Sequence, residues 1–154
     1  SVDLGVVVSR HCALLRRTLA SRGIRLEHEV APMLRRVVAS EKAVESVLLN
    51  LLLNAADATP AGGIVRVSVR MPAASAAVEV SVEDSGPGVP VALRERIFEP
   101  FFTTKDEGHG TGLGLTVCRS ILDRMGGKIA AHDSALGGAA FVMQFPAWAM
   151  GVVA

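Results

Sequence analysis

In Ile64-Val65-Arg66-Val67-Ser68-Val69-Arg70 and Val78-Glu79-Val80-Ser81-Val82-Glu83-Asp84, valines alternate with polar residues from Val65 to Arg70 and from Val78 to Glu83. A period of two puts successive side chains on opposite faces, so each stretch reads as a half-buried strand. The short loop around Pro72 to Ala76 makes the two an antiparallel hairpin. Working outward, Ile24, Leu26, His28 and Val30 alternate with Arg25, Glu27 and Glu29 until Pro32, which predicts another strand. Lys128 to Asp133 and Ala139 to Phe145 add two more, pairing across Ser134 to Gly138. Between the strands lie helical periods. Leu4, Val8, Cys12, Leu15 and Leu19 form one stripe, stopped by Gly23; Val44, Val47, Leu48, Leu51, Leu52 and Ala55 form a second after Ser40, a natural N-cap; Leu113, Val117, Ile121 and Met125 form a third, stopped by Gly126-Gly127. A short helical piece is expected near Val91 to Ile97, and a mobile loop over Glu99 to Gly112. Helices therefore segregate onto one face of a sheet. The predicted fold is an α/β (α+β) two-layer sandwich, with a mixed, largely antiparallel five-stranded sheet and three main helices.

The chain has 154 residues, about one domain's worth, and residues 1–154 read as a single domain with 147–154 as a C-terminal tail. Half its residues are hydrophobic, but only 4% are aromatic, so the core must be aliphatic and disorder is excluded. No apolar run approaches the roughly 18 residues of a membrane span. Cys12 and Cys118 are far apart and not in C-x-x-C spacing, which favours two reduced, buried thiols and a cytoplasmic setting. A net charge of +1 gives no field for nucleic acid, although residues 1 to 36 carry seven Arg against Asp3, Glu27 and Glu29.

Three places can carry chemistry. Asn50, Asn54 and Asp57 share one edge of the second helix beside its apolar stripe. Asn is a poor helix former, so the two amides either cap nearby loop backbone or offer carboxamide oxygens to Mg²⁺. Asp84, in phase with Val78, Val80 and Val82, turns a carboxylate inward ahead of Ser85-Gly86-Pro87-Gly88. It either accepts N–H groups of its own turn or accepts from the exocyclic amine of adenine, a base edge where guanine has a carbonyl. Gly108-His109-Gly110-Thr111-Gly112-Leu113-Gly114-Leu115 leads glycines into the third helix, where free N–H groups and the dipole favour an anion. Gly112 and Gly114 weaken the first helical turn by about 1 kcal/mol each, which a merely flexible loop would not require. Neither a P-loop nor a Rossmann glycine pattern occurs.

Taken together, these residues resemble the catalytic, ATP-binding domain of sensor histidine kinases, in the superfamily shared with gyrase, heat-shock chaperone and mismatch-repair ATPases. Asn50-Leu-Leu-Leu-Asn54-Ala-Ala-Asp57 resembles the N box, Asp84-Ser-Gly86-Pro-Gly88 the first glycine box, Phe98-Glu-Pro-Phe101-Phe102-Thr-Thr-Lys105 the F box, and Gly110-Thr-Gly112-Leu-Gly114-Leu115 the second glycine box. Gly126-Gly127-Lys128-Ile129, with Gly137-Gly138-Ala139-Ala140-Phe141, resembles the last glycine segment.

The resemblance implies a Bergerat (GHKL) fold that binds ATP and Mg²⁺. Asn54 would hold Mg²⁺, with Asn50 as a second candidate; Asp84, Gly86 and Gly88 would read adenine; Gly110, Thr111, Gly112, Leu113, Gly114 and Leu115 would cradle phosphates; Asp57 and Ala140 would line the site. Lys105 would neutralise phosphate, or be a surface lysine. Asn50 stands where hydrolysing relatives place a Glu that activates water, and an amide is no base at neutral pH. Slow hydrolysis and transfer to a partner are therefore expected, with Asn50, Asn54 and Lys105 as the catalytic set. Ala140 and Ser46 depart from residues frequent in the family, Thr and Gln.

None of the four His reads as phosphoacceptor. His28, on an apolar phase, is expected to be half-buried and hydrogen-bonded. The acceptor would be a histidine on a separate dimerisation hairpin of a longer chain, and a response regulator would be served indirectly. The isolated domain is expected to be monomeric, and the parent a homodimer, anchored or not at the inner membrane. The alternatives are a docking module without catalysis, and a relative that phosphorylates Ser or hydrolyses ATP.

Overall fold

Two side-chain caps start the long helices of this computed structural model, which describes residues 1–103 and 114–149. Asp3 Oδ1 accepts from the Val6 N–H at 3.1 Å and opens α1, Leu4–Ser21; Ser40 Oγ accepts from the Ala43 N–H at 3.3 Å and opens α2, Glu41–Ala58. Each satisfies an N–H that has no partner within its helix. Gly23 ends α1 at φ 74°, the left-handed conformation expected just past a helix C-terminus. Thr59, whose hydroxyl donates to Ala55 O at 2.7 Å, closes α2 ahead of Pro60. The third helix, α3, spans Gly114–Arg124 and stops at Gly126, φ 70°. Its expected first residues, and the greater part of the loop expected over Glu99 to Gly112, fall within 104–113, outside the described residues.

The strands are β1 Arg25–Val30, β2 Ile64–Arg70, β3 Ala77–Asp84, β4 Lys128–Asp133 and β5 Ala139–Pro146, in spatial order β1-β2-β3-β5-β4. β1 and β2 are parallel, joined by the crossover that contains α2; the other three pairs are antiparallel. Register puts Val82 opposite both Val67 and Phe141, and Met143 opposite both Val80 and Ile129, giving one continuous apolar face. The helices lie on that face, α1 against β1, α2 against β3 and α3 against β4. The mixed five-stranded sheet under one helical layer is the expected architecture. The opposite face is polar, crossed by the Arg66–Glu27 and Arg70–Glu79 pairs.

The short helical piece resolves into two 3₁₀ turns, Val91–Leu93 and Arg96–Phe98. A further tie, with no periodic signature, joins Val37 by backbone bridges to Val2 and to Ala147, and the Trp148 N–H donates to Arg36 O at 2.7 Å. No helix among the described residues is long and apolar enough to cross a membrane.

Aliphatic side chains fill the interior, with Phe98, Phe141 and Phe145 as its buried aromatics. Phe98 and Phe141 meet edge to face at 6.4 Å. Cys12 of α1 and Cys118 of α3 are fully buried in the helical layer. Burial pushes their thiols up to about 11 and about 12 respectively. Only the thiolate is nucleophilic, so neither should react in the native protein. Iodoacetamide at pH 8, read by mass spectrometry, is expected to modify neither Cys natively and both in denaturant. Labelling of the native protein would mean that the helical layer opens on the reaction timescale.

Candidate functional site

Asp84 continues the inward phase of Val78, Val80 and Val82 and is 2% exposed. Its Oδ1 accepts from two N–H groups, Gly86 at 2.9 Å and Ala139 at 3.2 Å. Its main-chain oxygen accepts from Gly138 N–H at 3.1 Å. Burial raises the carboxyl pKa above the ordinary 3.8, and the Gly86 and Ala139 hydrogen bonds oppose that rise. Both side-chain bonds fall on Oδ1, and no buried side-chain oxygen or nitrogen among the described residues lacks a partner. Oδ2 makes no hydrogen bond among the described residues and keeps the small solvent-accessible area of the side chain. The carboxylate is anchored through one oxygen and offers the other as an acceptor.

The glycines around it permit backbone to lie on backbone. A Cβ on Gly86 would overlap the Ala58 carbonyl at the end of α2, and one on Gly138 would overlap both Oδ1 and the main-chain oxygen of Asp84. Gly88 turns the chain at φ 77° beside Gly138. The end of α2, the loop after β3 and the turn before β5 thus meet at Asp84. Ser85 secures the first loop, its Oγ accepting from Ile64 N–H at 2.9 Å.

On α2, Asn50 and Asn54 are half-buried and Asp57 is exposed. The Asn50 carboxamide oxygen lies against Gly114, where an added Cβ would come within 2.9 Å of it. Asp57 pairs with Arg22, the residue just past α1, at 3.1 Å, and Arg22 also donates to Ala56 O. The F-box segment is held to α3: Thr116 Oγ1 donates to Phe98 O at 2.9 Å, and the Arg119 guanidinium lies 5.2 Å from the Phe98 ring. Phe101 is exposed, at φ 63°. Leu115 is half-buried at the start of α3. Lys105, Gly110, Thr111, Gly112 and Leu113, and His109 with them, lie outside the described residues. Among the described residues no cluster of His, Cys, Asp and Glu could hold a metal. The carboxamides of Asn50 and Asn54 nevertheless suit Mg²⁺, which takes one or two protein oxygens beside phosphates and water.

Asp84, Gly86, Gly88 and the α2 edge are brought to one end of the sandwich. Ala140 is not brought to Asp84: it pairs with Glu83 and His132, so its side chain belongs to the other sheet face. Its neighbour Ala139 supplies the N–H instead. Counting back by two from the inward Phe141 would have found it. Two of the histidines make structural contacts, and His132 is exposed on β4. His28 is half-buried with its Nδ1 3.2 Å from the Arg16 guanidinium, and the His11 ring lies 3.1 Å from Val7 O.

Comparison with known proteins shows which class this geometry belongs to. Residues 39–149 match the histidine kinase-, DNA gyrase B-, and HSP90-like ATPase family, and the chain is a member of it. The sensor histidine kinase ZraS of Klebsiella oxytoca is 40% identical over 146 residues, 95% of this chain and 31% of that protein; the chain thus spans less than a third of that relative. Among solved structures, the nucleotide-free catalytic domain of histidine kinase ThkA superposes with a TM-score of 0.84 at 35% identity, covering 95% of this chain and 93% of that one. ShkA, solved at full length in complex with AMPPNP, gives 0.83 at 31% identity, covering 97% of this chain and 31% of that one. ThkA in complex with the response regulator protein TrrA gives 0.80 at 31% identity, covering 96% and 41%. These matches make the chain an ATP-binding domain of the histidine kinase family.

The close approach at Asp84 can be weighed against a glycine that needs only its dihedral angle. Gly62, at φ 90°, has nothing within 4 Å of its added Cβ. Gly62→Ala should cost about 1 kcal/mol of left-handed strain, and Gly138→Ala about 2–3 kcal/mol, since Asp84 must shift. Urea unfolding of the two variants checks this; equal losses would remove the Asp84 contact as the constraint.

Proposed function

We propose that the domain binds Mg-ATP and passes its γ-phosphoryl group to a histidine on a separate helical domain of a longer, dimeric chain, from which a response regulator is then served. The observation that carries the reading is the divided carboxylate of Asp84, fixed through Oδ1 and free to accept through Oδ2. The exocyclic amine of adenine is a donor of the right kind there; the guanine carbonyl would face the anion and be repelled.

Catalysis would rest on positioning and electrostatics, as in phosphoryl transfer generally. Asn54, with Asn50 one turn before it, would hold Mg²⁺, which when bound neutralises charge on the phosphate oxygens. The backbone of Gly110 to Leu115, leading into α3, would receive phosphates, and Lys105 would add a cation. In the step itself the acceptor imidazole nitrogen forms the P–N bond as the bond from the γ-phosphorus to the bridging oxygen breaks, and ADP leaves. Asn50 can orient a ligand but cannot take a proton from water, which favours transfer over hydrolysis. The Arg22 partnership of Asp57 argues that this carboxylate shapes the α2 end rather than touching nucleotide.

Asp84→Asn keeps an oxygen for the Gly86 and Ala139 N–H groups and turns an NH₂ donor toward the ligand. ATP affinity should fall about 10- to 100-fold, with loss of preference over GTP, as calorimetric titration would report. Because the folded pKa is raised, protonation of Asp84 favours the folded state, and this contribution fades as pH rises through that value. At neutral pH the substitution should therefore leave stability unchanged or improve it. For the same reason ATP binding by the wild type should weaken on acidification before the ordinary aspartate value of 3.8 is reached.

Asn54→Ala should abolish the Mg²⁺-dependent part of ATP binding while the circular dichroism spectrum is retained. Incubation of the wild type with [γ-³²P]ATP and a histidine-bearing hairpin domain should yield acid-labile label. Acid-stable label would point to Ser as acceptor, and no label with intact ATP binding to a docking role.

A further inference from the structure

Arg94 belongs to none of the motifs and bridges two loops. It follows the 3₁₀ turn Val91–Leu93, and its side chain is only 21% exposed. Its Nε donates to Val89 O at 3.2 Å, and its terminal nitrogen meets Asp133 Oδ1 at 2.6 Å. Val89 is the residue after Gly88, so the first contact holds the far end of the loop that begins at Asp84. Asp133 ends β4 and precedes Ser134, the residue that builds the turn into β5. The Ser134 N–H donates to Gly138 O at 2.8 Å, and its hydroxyl donates to Glu83 and accepts from the Leu136 N–H. From that turn come Gly138 and Ala139, whose N–H groups hold Asp84.

The two loops are thus attached twice. Backbone hydrogen bonds join them at Asp84, and the Arg94 guanidinium joins them at Val89 and Asp133. With the first attachment alone, the loops could hinge about Asp84 and change the width of the opening onto which Oδ2 faces. The second attachment, at Val89 and Asp133, removes that freedom. A planar guanidinium suits this work because its N–H groups point in set directions, one to a carbonyl and another to a carboxylate.

We infer that Arg94 is a positioning residue for the nucleotide base, setting the spacing of the two loops on either side of the Asp84 carboxylate. The inference rests on the ATP site proposed above. Asp133 is 86% exposed, and an exposed ion pair adds little to stability, so the effect belongs to recognition rather than to folding.

The test is calorimetric titration of ATP and GTP against the wild type, Arg94→Ala, Asp133→Ala, the double variant and Arg94→Lys, each with a thermal melt. Arg94→Ala is expected to weaken ATP about tenfold and to narrow the ATP-to-GTP ratio, with the melting temperature moving by less than about 3 °C. Asp133→Ala should act in the same direction, and the double variant should be no worse than Arg94→Ala, since both remove one bridge. Arg94→Lys, which can reach Asp133 but not make both contacts in plane, should recover part of the loss. An unchanged ATP-to-GTP ratio in Arg94→Ala and Asp133→Ala, or strictly additive losses, would overturn the inference while leaving the ATP site standing. Failure of the wild type to bind ATP would overturn the site itself.

Discussion

A carboxylate at 2% exposure is tolerable only where something donates to it, and at Asp84 the donors come from both directions along the chain. Gly86 is two residues ahead, whereas Ala139 is on the strand that pairs alongside. The charge therefore binds a local turn to a long-range strand pair. Every neighbouring feature serves that convergence: the bare Cα atoms of Gly86 and Gly138, the α2 carbonyl on which Gly86 rests, and the Ser134 turn that aims two N–H groups inward. Removing an aliphatic contact elsewhere would cost stability; disturbing this junction would also cost the chemistry.

The same economy appears on α2. Its apolar stripe packs beneath the sheet while the next register positions carry Asn50 and Asn54 to the edge, Asn50 beside the first residue of α3. Two helices and two loops thus contribute to one end of the sandwich without any single element bearing the whole site. The arrangement has a general form, since family membership and the ThkA superposition place the same architecture in a histidine kinase catalytic domain.

Much of this was legible beforehand, because the alternation in β2 and β3 and the cap at Ser40 are local properties written in neighbouring residues. The inward phase of Asp84 could be counted from Val78. What escaped was made of long-range backbone pairing, which leaves no local pattern. The bridges at Val37 are of that kind; the Arg94 link between Val89 and Asp133 is made by a side chain, but it too spans residues far apart in sequence and leaves no local pattern. Ala139 was different: two adjacent alanines do not by themselves show which one shares the inward phase, and that phase has to be counted from Phe141, whose inward place the register with Val82 fixes.

The two ends of the sheet are closed by different means. At the end away from Asp84, Val2, Val37 and Ala147 are joined through main-chain groups, and the Arg36–Trp148 contact is likewise made by backbone atoms. Main-chain bonds do not specify the side chains that hang from them, so exposed positions such as Val38 and Trp148 can vary widely over evolutionary time. At the Asp84 end the closure depends on the absence of side chains, and any Cβ at Gly86 or Gly138 intrudes. Substitution of exposed side chains is thereby cheap at one pole of the molecule and costly at the other, so the surface near Trp148 can change without disturbing the Asp84 junction.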